Sequence, residues 1–161
     1  MELDDHITVV RLDDVEHAGP FMSDQGSLGT DFEELHSWLG LTRGLYDDIM
    51  GWHDAAVRSG QTDSARAEEL TSRLSSEVRA DLEVRPPRVP TRELRLTDFV
   101  DASVPTPPLA PELAERVRAW RDAAVARGDS DEAIFARQDA GFALAREVEA
   151  QLAHRYYVSA R

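Results

Sequence analysis

Glu33-Glu34-Leu35-His36 is the nearest approach to a metal motif in the 161 residues. Glu33 and His36 stand three apart, so a helix would turn both to one side. Di-iron carboxylate sites need two such pairs plus two further Glu on facing helices. The sequence holds no second pair, so no metal is expected. His53 beside Asp54 is the next constellation, with Asp47 and Asp48 one to two turns earlier. A neutral imidazole held by a carboxylate can act as a general base. The stretch SDQGSLGT (23–30) has the glycines of an anion-cradling loop, but Asp24 within it and Asp31 just after it would repel an anion, so a plain loop is expected. No GxGxxG, P-loop, HExxH, GxSxG or EF-hand pattern occurs. Cysteine is absent, which excludes disulfides, thiolate metal sites and cysteine nucleophiles. All 18 basic residues are Arg, which excludes Schiff-base and P-loop lysine chemistry. No catalytic residue and no cofactor is assigned. The lack of both Lys and Asn, whose codons begin AA, points to a GC-rich genome such as an actinobacterium's.

The formal charge is −13, against the basic footprint that nucleic-acid binding requires. Residues 1–40 carry ten acids against one Arg, while 41–161 carry twenty-one against seventeen. Solubility alone accounts for such an excess, or it is an acidic surface for a basic partner, whose complementary field speeds association. The residues assigned to that surface are Asp24, Asp31, Glu33 and Glu34.

Stepping the sequence against itself by 68 residues aligns LYDDIMGWHDAAVRSG (45–60) with LAERVRAWRDAAVARG (113–128). Leu45, Trp52, Asp54, Ala55, Ala56, Val57 and Gly60 recur, and at an offset of 70 Leu74, Val78, Leu82 and Arg85 recur as well. A duplication is expected. Arg121 stands where the first copy has His53, which tells against a catalytic role there. Each copy reads as a helical hairpin. Leu45, Ile49, Trp52 and Ala56 form one stripe, Gly60 ends the helix, and Thr62 or Asp63 caps the next, which continues through Leu70, Leu74, Val78 and Leu82. In the second copy Leu113, Val117, Trp120 and Ala124 form the stripe, Pro111 opens the helix and Gly128 closes it. Asp129 and Glu132 have capping-box spacing, and the last helix is expected to bury Ile134, Phe135, Phe142, Leu144, Val148 and Leu152.

Seven of the eight prolines lie in 86–111, yet RELRLTDFV (92–100) alternates like a strand. HITVVRL (6–12), LEV (82–84) and HRYYVSA (154–160) are the other β-prone runs. The expectation is an α+β, mainly α, single domain spanning 1–161. It comprises an acidic N-terminal segment with a strand (1–40), hairpin one (41–84), a proline-rich strap with a strand (85–111) and hairpin two with a terminal strand (112–161). One small sheet would join the N-terminal, central and C-terminal strands.

The helix with a central Trp, a short turn, a second Leu/Arg/Glu-rich helix and an RYYV-like strand resembles a segment of small uncharacterised actinobacterial proteins. It is carried here by residues 45–84 and again by 113–158. The resemblance implies a hairpin module without catalytic residues of its own, and a companion role beside a larger neighbour.

Together these features point to a non-catalytic, acidic protein-interaction module of immunity, antitoxin-like or accessory type, with a basic protein as partner. A homo-oligomer stays open, and no nucleic acid is bound directly. No run reaches the ~18 apolar residues of a membrane span and no signal peptide opens the chain, so a cytoplasmic protein is expected. The alternative is a small enzyme or ligand-binding protein with a pocket between the hairpins, using His36, His53 and Asp54.

Overall fold

A computed structural model describes residues 7–14, 18–101, 104–123 and 128–160. The fold is mixed α+β, and the chain divides into two compact units, Met1–Arg92 and Glu93–Arg161, each with its own apolar cluster. The division cuts the proline-rich strap: its first residues belong to the first unit and the remainder to the second. No helix among the described residues is long and apolar enough to cross a membrane.

The first unit holds β1 (Val9–Leu12), β2 (Phe21–Ser23), β3 (Gly26–Ser27), α1 (Phe32–Leu39), α2 (Arg43–Ser59), α3 (Ser64–Glu77) and β4 (Glu83–Val84). The sheet runs β3-β2-β1-β4, antiparallel except where β4 pairs parallel to β1, with Val9 opposite Glu83 and Val10 opposite Val84. The three helices lie between β1 and β4 in the chain, as the long crossover to a parallel strand requires. Their inward residues follow from helical spacing. Leu45, Ile49, Trp52 and Ala56 are buried on α2, and Ala67, Leu70 and Leu74 on α3. Removing a Leu, Ile or Val side chain from water contributes roughly 1.5–3 kcal/mol, so each buried residue of this stripe holds α2 and α3 on the core. Gly60 ends α2 at φ 67°, in the left-handed region where glycine carries no Cβ penalty, and its N–H donates to the Ala56 carbonyl. Asp63 caps α3 by accepting from the Arg66 N–H.

The second unit holds β5 (Glu93–Arg95), a 3-10 turn (Leu96–Phe99), α4 (Pro111–Asp122), α5 (Asp131–Gln151) and β6 (Tyr157–Ser159). β5 and β6 form a parallel pair, with Leu94 opposite Val158. Pro111 opens α4, where its missing N–H is harmless. Leu113, Val117 and Trp120 of α4 pack on Leu144, Ala145 and Val148 of α5, with Leu96 and Val158 completing the cluster.

Several expectations change. Instead of one sheet there are two, a four-stranded one in the first unit and β5–β6 in the second. The alternating run 92–100 yields only a three-residue strand. From Leu96 it coils into the 3-10 turn, where the Asp98 carboxylate accepts the Arg95 N–H. The loop expected at 23–30 includes a β-hairpin tip, held by the Ser23 hydroxyl, which accepts from Gln25 N–H and donates to the Gly26 carbonyl. α3 stops at Glu77, so Val78 and Leu82 pack on the core from outside the helix. α4 stops at Asp122, six residues short of Gly128; Ala124 and Val125 lie outside the described residues. Ser130, rather than Asp129, caps α5. Ile134, Phe135 and Phe142 are exposed, because the face of α5 turned to α4 is set by Gly141, Leu144 and Val148.

Candidate functional site

Asp24 occupies the turn between β2 and β3, and Asp31, Glu33 and Glu34 cluster at the start of α1; all four are exposed. Asp31 is the N-cap, accepting the Glu34 N–H at 3.0 Å, and Glu33 and Glu34 fill the first turn, where the helix dipole favours negative charge. Part of this acidity therefore serves the helix. Behind it, the Tyr46 hydroxyl donates to the Thr30 carbonyl at 2.6 Å, and Arg43 lies over the rings of Phe32 and Tyr46 at 4.6 and 5.4 Å. This aromatic packing fixes where α1 begins and so where its acids point.

Several acids on the longer helices are in a different state. Asp48 meets Arg73 at 2.6 Å and Arg66 at 3.9 Å, Glu69 meets Arg66 at 2.7 Å, and Glu68 pairs with Arg92. In the second unit Glu147 meets Arg116, while Asp101 and Asp122 share Arg121. Hydrogen bonding to Arg73 holds the Asp48 carboxyl below its ordinary range, and Arg116 does the same for Glu147. Asp24, Glu33 and Glu34 make no ion pair among the described residues.

The residues of the alternative pocket sit in separate settings. His36 is exposed at the last turn of α1, its Nδ1 2.9 Å from the Leu41 carbonyl, a contact that steadies the bend into α2. His53 is buried on α2 with Asp54 exposed beside it, Nδ1 to Oδ1 3.9 Å. Among the described residues no group of His, Asp and Glu is placed to hold a metal ion.

Asp13 is the polar residue that sequence reading missed. It is fully buried at the end of β1, with Arg88 at 3.7 Å and Arg11 at 4.0 Å. Asp13 and Arg88 also form a parallel backbone bridge that prolongs the β1–β4 pairing. A carboxylate withdrawn from water is tolerable only when paired, and two guanidiniums supply that here. Nothing in the string RLDDVE sets Asp13 apart from Asp14; it is the backbone bridge to Arg88 that draws Asp13 into the β1–β4 pairing.

An open groove also lies beside each of Trp52 and Trp120. One of about 390 Å³ is lined by Trp52, Ala56, Thr62, Asp63 and Arg66. The other, about 590 Å³, is lined by Arg116, Trp120, Arg137, Ala140 and Leu144. The cations at both are engaged within the protein: Arg66 by Glu69, Arg116 by Glu147, and Arg137 by the carbonyls of Trp120 and Ala123. Compared with known proteins, the chain matches no family model, no curated protein and no solved structure.

Proposed function

We propose that the protein is a non-catalytic, acidic protein-interaction module of immunity, antitoxin-like or accessory type that meets a basic protein, in the cytoplasm, through Asp24, Glu33 and Glu34, with Asp31 placing the last two. One observation carries the reading: these acids are exposed without an Arg partner among the described residues, whereas Asp48, Glu68 and Glu69 of the same unit each meet an Arg. Unneutralised charge keeps its field in solvent and steers an oppositely charged surface. A nuclease or another nucleic-acid-binding protein has such a surface. The chain as a pair of duplicated hairpins belongs to the same proposal. It is supported by the two buried tryptophans, each donating its indole N–H to a backbone carbonyl at 3.0 Å.

The test is to cross-link the full chain in cells, identify the partner, and measure association by stopped flow. The variant Asp24→Asn/Glu33→Gln/Glu34→Gln leaves the Asp31 cap in place, so loss of folding does not confuse the result. Association should slow by about tenfold in the variant and fall steeply as salt shortens the ~8 Å screening length of physiological buffer. A partner that is itself acidic, or whose on-rate ignores both salt and the variant, would sink the reading.

A further inference from the structure

The first part of α5 stands in solvent on nearly every side: residues 131–136 are all exposed. Phe135 is 62% exposed and Phe142 47%, with Ile134 beside them at 40%. Two phenyl rings seven residues apart on one helix are costly to leave in water. With 3.6 residues per turn, Asp131, Phe135, Gln138, Phe142 and Arg146 fall in one stripe. Gly141, Leu144 and Val148 mark the face turned to α4, about a third of a turn away.

The stripe reads as its own complement when reversed. Forwards it runs acid, Phe, Gln, Phe, base; backwards it runs base, Phe, Gln, Phe, acid. A second copy laid antiparallel, centred between Gln138 and Asp139, sets Asp131 opposite Arg146 of the other copy and Phe135 opposite Phe142. The two-fold axis then repeats both pairings, as an isologous contact requires. A parallel copy would oppose Asp131 to Asp131 and Arg146 to Arg146, so charge selects the antiparallel arrangement. Both charges are available for it: Asp131 and Arg146 are exposed and form no ion pair among the described residues. The four-three-four spacing from Asp131 to Phe142 is also that of a coiled-coil seam, which lets two helices approach to roughly 8–10 Å.

We infer that the protein forms an antiparallel homodimer through α5, with Phe135 and Phe142 as its apolar centre and the Asp131–Arg146 pairs as its ends. The inference is independent of the acidic-surface reading, which uses the other unit. Two rings per copy make a short contact, so association is weak and concentration-dependent, with a dissociation constant in roughly the micromolar range.

Sedimentation velocity on the full chain tests it, from about 1 µM to about 500 µM, a span that brackets that range. The chain should pass from monomer to dimer. Phe135→Asp should weaken the dimer by at least ~100-fold, because it sets a charge against an apolar ring in both halves of the contact. Asp131→Arg and Arg146→Asp alone should each weaken it about tenfold, and the double variant should recover most of that loss by exchanging the charges. Circular dichroism checks folding; if Phe135→Asp fails to fold, the charge-exchange set decides. A chain monomeric at every concentration, a dimer indifferent to Phe135→Asp, or a double variant no tighter than the single ones would overturn the inference.

Discussion

In the first unit the Trp52 indole N–H donates to the Asp63 carbonyl, at the threshold of α3; in the second, Trp120 donates to the Arg137 carbonyl, well inside α5. The helices carrying these tryptophans share most of their apolar stripe, so the difference comes from what each indole lies against. Gly141 makes room on α5. A Cβ there would stand 2.8 Å from the Trp120 ring, so the indole rests almost on backbone, with Arg137 over its face at 4.4 Å. In the sequence, Thr71 stands 70 residues before Gly141, so α3 has no glycine at that offset. Seating Trp120 in this way commits Gly141, Leu144 and Val148 inward and leaves Phe135 and Phe142 on the outside. Two similar tryptophan helices are thus followed in one unit by a helix that keeps its large apolar residues inside and in the other by a helix with apolar residues to spare.

The largest way to probe that contrast is to remove the rings. Trp52→Ala and Trp120→Ala should each cost about 3–5 kcal/mol, the usual loss for a large aromatic core side chain. Chemical denaturation followed by circular dichroism reads both. Equal and small losses would mean that neither indole organises its hairpin. Next in size, Gly141→Ala should destabilise by roughly 1–3 kcal/mol through overpacking against Trp120. In an exposed helix the same change gains about 0.5–1 kcal/mol, so the sign alone decides whether the close approach is real. Smaller again, Asp63→Ala and Ser130→Ala should each cost about 1 kcal/mol as helix caps. A neutral Ser130→Ala would return the start of α5 to Asp129, where capping-box spacing first suggested it.

The features legible in sequence were those fixed within one or two turns of chain. Gly60 and Asp63 announce the end of α2 and the start of α3 because their conformations are local. The strands at 9–12 and 157–159 were visible in their β-branched and aromatic residues, but their pairing was not. Whether β5 joins β1 or β6 depends on contacts far apart in the chain, and alternation is silent about them. Apolar type also misled on α5, which carries apolar residues on more than one face, and only the packing partner shows which is inward. The acids at 24–34 were legible as a count of charge. That Asp31 caps a helix and Asp13 lies buried between arginines required the fold.

The finest comparison lies in the ion pairs that join α2 to α3 and α4 to α5, which run in opposite senses. In the first, the acid is on the leading helix (Asp48) and the base on the second (Arg73); in the second, Arg116 leads and Glu147 follows. Both carboxyls titrate below their ordinary range because an Arg donates hydrogen bonds to them. A depressed folded-state pKa means that the pair contributes its stability above the unfolded pKa, near 4 for either residue, and loses it as pH falls through the folded value. Both pairs are exposed, so the effect on melting is small and fades with salt. Carboxyl titration by NMR should therefore show Asp48 and Glu147 protonating below the ordinary carboxylate range as the solution is acidified. Arg73→Gln should release Asp48 alone, and Arg116→Gln should release Glu147 alone. If either substitution left its partner's midpoint unmoved, that ion pair would be a contact without electrostatic consequence, and the mirrored polarity of the two helix pairs would carry no energy.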